Sequence, residues 1–201
     1  MNQTFGLLAV SLATALPFVS NASKAELEAR AGPDKHLYVA EAFAALTLAD
    51  RGVQDAAAPT AVRPLEPRAV RLLERGLAAS DTFRTLMAEI SPSRAVVYVD
   101  MDAYLDSGLR GVTRLLRGTA DERMMLIVLN PRAVDDDLVA VLGHELQHVK
   151  EMVLAKLRTP RDVETYYRAF GLGGMARRYE TREALAVESR VRLELASSRS
   201  R

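Results

Sequence analysis

The stretch that most constrains this chain is Val141 to Glu151, VLGHELQHVKE, which sets His144 and His148 four residues apart with Glu145 beside the first. In a helix, side chains at that spacing stand one turn apart on one face, so both imidazoles can close on a single cation while Glu145 flanks it. This HExxH spacing suits a zinc ion held by neutral imidazole nitrogens, with a third protein ligand and one position left for water. The chain holds three histidines, and two of them are spent here. The third, His36, lies far away in sequence and is not assigned to the site.

The surrounding residues read as helix. Asp135, Asp136 and Asp137 are expected to cap it and to place negative charge at the positive end of its dipole. Leu138, Leu142, Leu146, Val149 and Val153 recur at threes and fours as one apolar stripe, and Pro160 is expected to stop the helix. A mid-helix glycine costs on the order of 1 kcal/mol relative to alanine. Gly143 is therefore read as a point of close approach, either by another backbone or a substrate, or by a tightly packed helix.

Composition excludes several function classes. The 201 residues are enough for one domain with a core. Lys plus Arg at 27 against Asp plus Glu at 26, with no basic cluster interleaved with aromatics, argues against a nucleic-acid partner. No cysteine is present, so metal ligands must come from His, Asp and Glu.

Met1 to Ser23 carries no charged side chain. Its apolar run, Phe5 to Val19, is short for a membrane span and is followed by Ser20, Asn21 and Ala22, which suit signal-peptidase cleavage. Residues 1–22 are thus expected to be a signal peptide, directing export to the periplasm or medium and leaving no stable membrane span. Residues 23–63 form an N-terminal segment and linker, the latter read from the Ala/Pro/Gly-rich RGVQDAAAPTAVR, Arg51 to Arg63.

From residue 64 onward, Glu66 to Leu77 has amphipathic helical spacing, and Ser80 caps a second short helix, Asp81 to Ile90. AVVYVDM, Ala95 to Met101, reads as a strand, Leu109 to Leu116 as a weaker one, and MMLIVLN, Met124 to Asn130, as the strongest. An edge strand beside the metal helix would suit pairing with an extended peptide. After Pro160 come a short helix, Arg161 to Phe170, with Tyr166 and Tyr167, then the GLGG connection. The last element, Tyr179 to Ala196, has strong helical propensity and offers Glu180, Glu183, Glu188 and Glu194. Glu180 and Glu183 share a helix face, so spacing alone does not choose between them.

HELQH followed about thirty residues later by YETREA resembles the gluzincin group of zinc metallopeptidases. In that group a glutamate from a second helix completes a His, His, Glu site, with a small or acidic residue four positions beyond it. The resemblance implies Glu180 as third ligand, with Ala184 four positions on, and Glu183 as second choice. The longer set LLERGLAASDTFR, VVYVD, LIVLN, LGHELQHVKE and YETREALA also looks like bacterial proteins of predicted zinc-peptidase character, from about Val70 to the C-terminus. Lys150 departs from the extended pattern, where an apolar residue is usual.

The expectation is a zinc-dependent hydrolase of peptide bonds, with a peptide or protein as substrate. His144, His148 and Glu180 would hold Zn2+, and Glu145 would be general base and then acid. Tyr166, Tyr167 and Arg182 are possible oxyanion donors, and Asp162 or Glu183 possible partners of a liganding histidine. One alternative keeps the metallopeptidase fold and zinc as a non-catalytic structural or regulatory envelope module. Another is a helical interaction protein with a fortuitous motif. The expected architecture of residues 64–201, the zinc metallopeptidase-like domain, is α+β. A small, mostly antiparallel sheet packs on the HExxH helix, with flanking helices and a C-terminal helix carrying the third ligand.

Overall fold

In a computed structural model of the chain, residues 61–105, 108–119, 122–172 and 179–200 are described, all within the unit Arg51–Arg201. The expected signal peptide, His36 and the linker up to residue 60 lie outside the described residues. In chain order the elements are β1 Val62–Pro64, α1 Pro67–Ala79, α2 Asp81–Ile90, β2 Ala95–Met101, β3 Gly111–Gly118, β4 Arg123–Leu129, α3 Asp135–Leu154, α4 Pro160–Phe170 and α5 Arg182–Arg199. The fold is thus a mixture of helices with one sheet, compatible with α+β. Among the described residues no helix is long and apolar enough to cross a membrane.

The four strands are ordered β1-β2-β4-β3, with β1 and β4 parallel to β2 and only β3 antiparallel to its neighbour. This corrects the expectation of a mostly antiparallel sheet, and the connections explain why. Helices α1 and α2 intervene between β1 and β2, a crossover long enough to return the chain in the same direction. Only four residues separate β3 from β4, and Thr119 N–H donates to the Glu122 carbonyl at 2.8 Å, so the two strands run oppositely. The apolar run of β4, residues 124–129, is itself what a strand covered on both faces requires. β1 falls at the end of the expected linker. Three residues are too few to show an alternating pattern, and Pro64 is tolerated because β1 is an edge strand.

Helix α3 lies at the centre of the described residues, with fourteen of its twenty residues buried. Leu138, Leu142, Leu146 and Val149 join Phe83, Leu72, Ile127 and Val191 in one apolar cluster, and Val153 is partly buried against it. The N-cap is Val134, without a side-chain cap, whereas the three aspartates occupy the first turn. They serve instead as acceptors: Asp135 for Arg68, Asp136 for Arg75 and Arg199, and Asp137 for Arg192. The helix ends at Leu154, well before Pro160, and Lys156 takes a left-handed conformation at φ 55°. Pro160 instead opens α4, where proline's fixed φ and missing N–H suit the first turn.

Gly143 is explained by helix packing. A Cβ there would stand 3.1 Å from Val191 Cγ2 and 3.6 Å from Val187 Cγ1, both on α5. The tight approach of a helix, not of a substrate, is what the missing side chain permits. Lys150 makes an ion pair with Glu89 of α2 at 2.7 Å, which gives a charged residue a place at this position of α3.

Candidate metal centre

Helical spacing turns the His144 and His148 rings toward each other, with centroids 4.8 Å apart and Nε2 atoms 3.1 Å apart. Glu180 Oε2 lies 3.2 Å from His144 Nε2. These three side chains form a group whose ligand atoms all lie within 4.8 Å of one another, and they could hold a metal ion. Ligands about 2.0–2.1 Å from a tetrahedral zinc are separated by about 3.3 Å, close to the two shorter spacings here.

A second observation tests the fit. Glu180 Oε2 is buried with no hydrogen-bond partner, because the His144 ring is near enough to pair by charge but out of line for a hydrogen bond. Among the described residues the protonated His144 ring is the cation that meets this oxygen, and a metal ion held by both groups would take the place of that proton. The residues present therefore suit a divalent ion with mixed nitrogen and oxygen preference.

Each imidazole has a carboxylate behind it. His148 Nδ1 donates to Glu151 Oε2 at 2.9 Å, leaving Nε2 to face the centre. Glu188 Oε2 stands 3.3 Å from His144 Nδ1, again off the hydrogen-bond axis. Glu188 is held in turn by Arg110 at 2.7 Å and Arg192 at 2.8 Å. Burial opposes charge on the His144 ring, but Glu180 and Glu188 outweigh it and raise its pKa to about 10 in the metal-free state. The His144 ring, aided by the two arginines, holds the Glu188 carboxyl down at about 2 against the effect of burial. Contact with His144 also lowers the Glu180 pKa.

Glu145 is buried beside the centre. Its Oε2 accepts from Thr113 Oγ1 of β3 at 2.7 Å, and its Oε1 lies against Gly111. A Cβ at Gly111 would stand 2.8 Å from that oxygen and 2.7 Å from Val141 Cγ1, so only glycine leaves the carboxylate room. Burial pushes the Glu145 pKa up, against the pull of both histidines.

The centre opens into a cleft of about 460 Å³ that includes open solvent and is lined by Val112, Thr113, Met152, Tyr179 and the site residues. β3, which supplies Gly111, Val112 and Thr113, is an edge strand of the sheet.

Several sequence expectations are corrected here. Glu180 precedes α5 instead of lying on it: Thr181 is the N-cap, its hydroxyl accepting from Ala184 N–H, and the helix starts at Arg182. Glu183 and Arg182 are exposed and do not join the centre. Asp162 closes the capping box of α4 with Thr159 and accepts from Arg158 N–H and Thr159 N–H, so its hydrogen bonds are spent on the helix start. Tyr167 is not free to serve an oxyanion, since its hydroxyl donates to Glu151 Oε2 at 3.0 Å, and Tyr166 packs against the core. Sequence reasoning missed Glu151, although its place three residues after His148 puts it on the same helix face. It named Glu188 only as one acid among several. Thr113 carries no local signal at all. Compared with known proteins, the chain matches no family model, no curated protein and no solved structure.

Proposed function

We propose that this protein is a zinc-dependent hydrolase of peptide bonds. The reading is carried by the convergence of His144 Nε2, His148 Nε2 and the unpartnered Glu180 Oε2 beside a buried carboxylate at the floor of an open cleft. Bound there, zinc would supply a water acidic enough to attack near neutral pH and would polarise the scissile carbonyl.

The chain's own residues supply the rest. Thr113 holds Glu145 Oε2, so Oε1 is the oxygen left to take a proton from the attacking water and pass it to the leaving amine. Burial that raises the Glu145 pKa makes the protonated form a less costly intermediate stage and suits the later acid role. β3 offers main-chain groups at the sheet edge beside the cleft, where an extended peptide can pair as an added strand.

The test is cleavage of a peptide library by the zinc-loaded full chain, with chelator as control. Chelator-sensitive cleavage is expected, falling about 10²- to 10⁴-fold in Glu145→Gln while that variant keeps its metal. Zinc bound without cleavage of any peptide supports the non-catalytic module instead, and equal activity in Glu145→Gln removes the mechanism.

A further inference from the structure

Glu151 is buried, yet both of its carboxylate oxygens are fully used, and the donors come from three separate parts of the chain. Oε2 accepts from His148 Nδ1 at 2.9 Å and Tyr167 Oη at 3.0 Å. Oε1 accepts from Thr181 Oγ1 at 2.7 Å and Gln147 Nε2 at 3.2 Å. The donors thus lie on α3, on α4 and on the N-cap of α5. Thr181 is the neighbour of Glu180, so one carboxylate bonds both the His148 ring and the residue that follows Glu180.

We propose that Glu151 and Thr181 form a positioning clamp that fixes the His148 ring and the Glu180 carboxylate relative to each other, so that zinc meets a preformed set of ligands. The proposal rests on the metal reading above. On the His148 side, donation from Nδ1 to a carboxylate keeps the proton off Nε2, the nitrogen that faces the centre. On the Glu180 side, that residue lies outside α5, where the helix ladder does not hold it, and its carbonyl accepts from Leu172 N–H at 2.8 Å. The Thr181 hydroxyl is the tie to α3: it accepts from Ala184 N–H at 3.1 Å and donates to Glu151 at 2.7 Å, joining the start of α5 to that helix. A buried threonine that served only as a helix cap would need the first of these bonds alone.

The experiment titrates zinc alone into the metal-free full chain against a chromophoric chelator, for wild type, Glu151→Gln, Thr181→Ser and Thr181→Val. It also records the ¹⁵N spectrum of the His148 ring in wild type and Glu151→Gln. An amide at position 151 can donate to Nδ1, which moves the ring proton to Nε2. Zinc affinity is expected to fall about 10- to 100-fold in Glu151→Gln and in Thr181→Val. Thr181→Ser, which keeps the hydroxyl, is expected to restore it, and the His148 tautomer is expected to switch in Glu151→Gln. Variants that bind zinc as tightly as wild type overturn the clamp and leave the metal centre standing. So does equal loss in Thr181→Ser and Thr181→Val. Failure of wild type to bind zinc overturns both. Should Glu151→Gln not fold, the two Thr181 variants decide the matter.

Discussion

The two ends of α3 handle negative charge in opposite ways. At its start, Asp135, Asp136 and Asp137 face arginines from α1 and α5, and the pairs keep contact with solvent: Asp135 and its partner Arg68 are 52% and 28% exposed. In its second half, Glu145 and Glu151 are buried, 5% and 8% exposed, and their partners are ring nitrogens, hydroxyls and an amide instead of arginines. Water screens the first set, so each pair is worth little on its own. Burial leaves the second set little screened, so each missing partner leaves a largely desolvated group behind. The difference teaches that the same acidic residue types serve as solvated fasteners at one end and, at the other, as buried groups around a centre that could hold a metal ion.

That contrast can be broken most decisively at the buried end. His148→Ala should weaken zinc binding by at least about 100-fold in a chelator competition, since it removes one of the three proposed ligand atoms. Retained affinity would erase the distinction between the two ends. Next in size, Gly143→Val should destabilise the metal-free protein by roughly 1–3 kcal/mol in urea unfolding, because a Cβ already meets Val191 at 3.1 Å. Gly111→Ala should lower both stability and the proposed peptide cleavage, as the added methyl meets Val141 Cγ1 at 2.7 Å and Glu145 Oε1 at 2.8 Å; urea unfolding and peptide cleavage check it.

A pH series sharpens the comparison further. In the metal-free protein the His144 pKa is raised above its ordinary value of 6.5 to about 10. Its contribution to stability is therefore complete below pH 6.5 and is lost as pH rises toward 10. For Glu188, held down at about 2, the contribution is present above pH 4.5 and is lost as pH falls toward 2. If zinc binds as proposed it must displace the His144 proton, so its apparent affinity should rise from pH 6 to 8.5, with proton release detectable in weakly buffered solution. The smallest effect is expected at the other end of the helix. Arg68→Ala should cost about 1 kcal/mol or less, and added salt should narrow the gap between variant and wild type.

Helix α2 and strand β2 were legible residue for residue, because Ser80 carries its own cap signal and AVVYVDM its own β-branched pattern. The sheet's strand directions were not. Direction follows from the path of the connections, and the pattern of a strand does not state whether its neighbour runs with it or against it. Likewise α5 starts at Arg182, three residues after Tyr179, since high helix propensity across YETREA masks the capping role of Thr181.

The sequence by itself determined the local terms of the site: two imidazoles one helical turn apart with Glu145 between them, and a short set of acids from which a third ligand could come. Periodicity along one helix is a local property, and it is written in the spacing of the residues. Only the tertiary structure decided which acid arrives, that Glu180 comes from ahead of a helix, that Glu151 and Glu188 stand behind the two rings, and that Thr113 from an edge strand holds Glu145. Those choices depend on burial and on contacts between residues far apart in sequence, where the cost of an unpaired charge removed from water selects one arrangement among many.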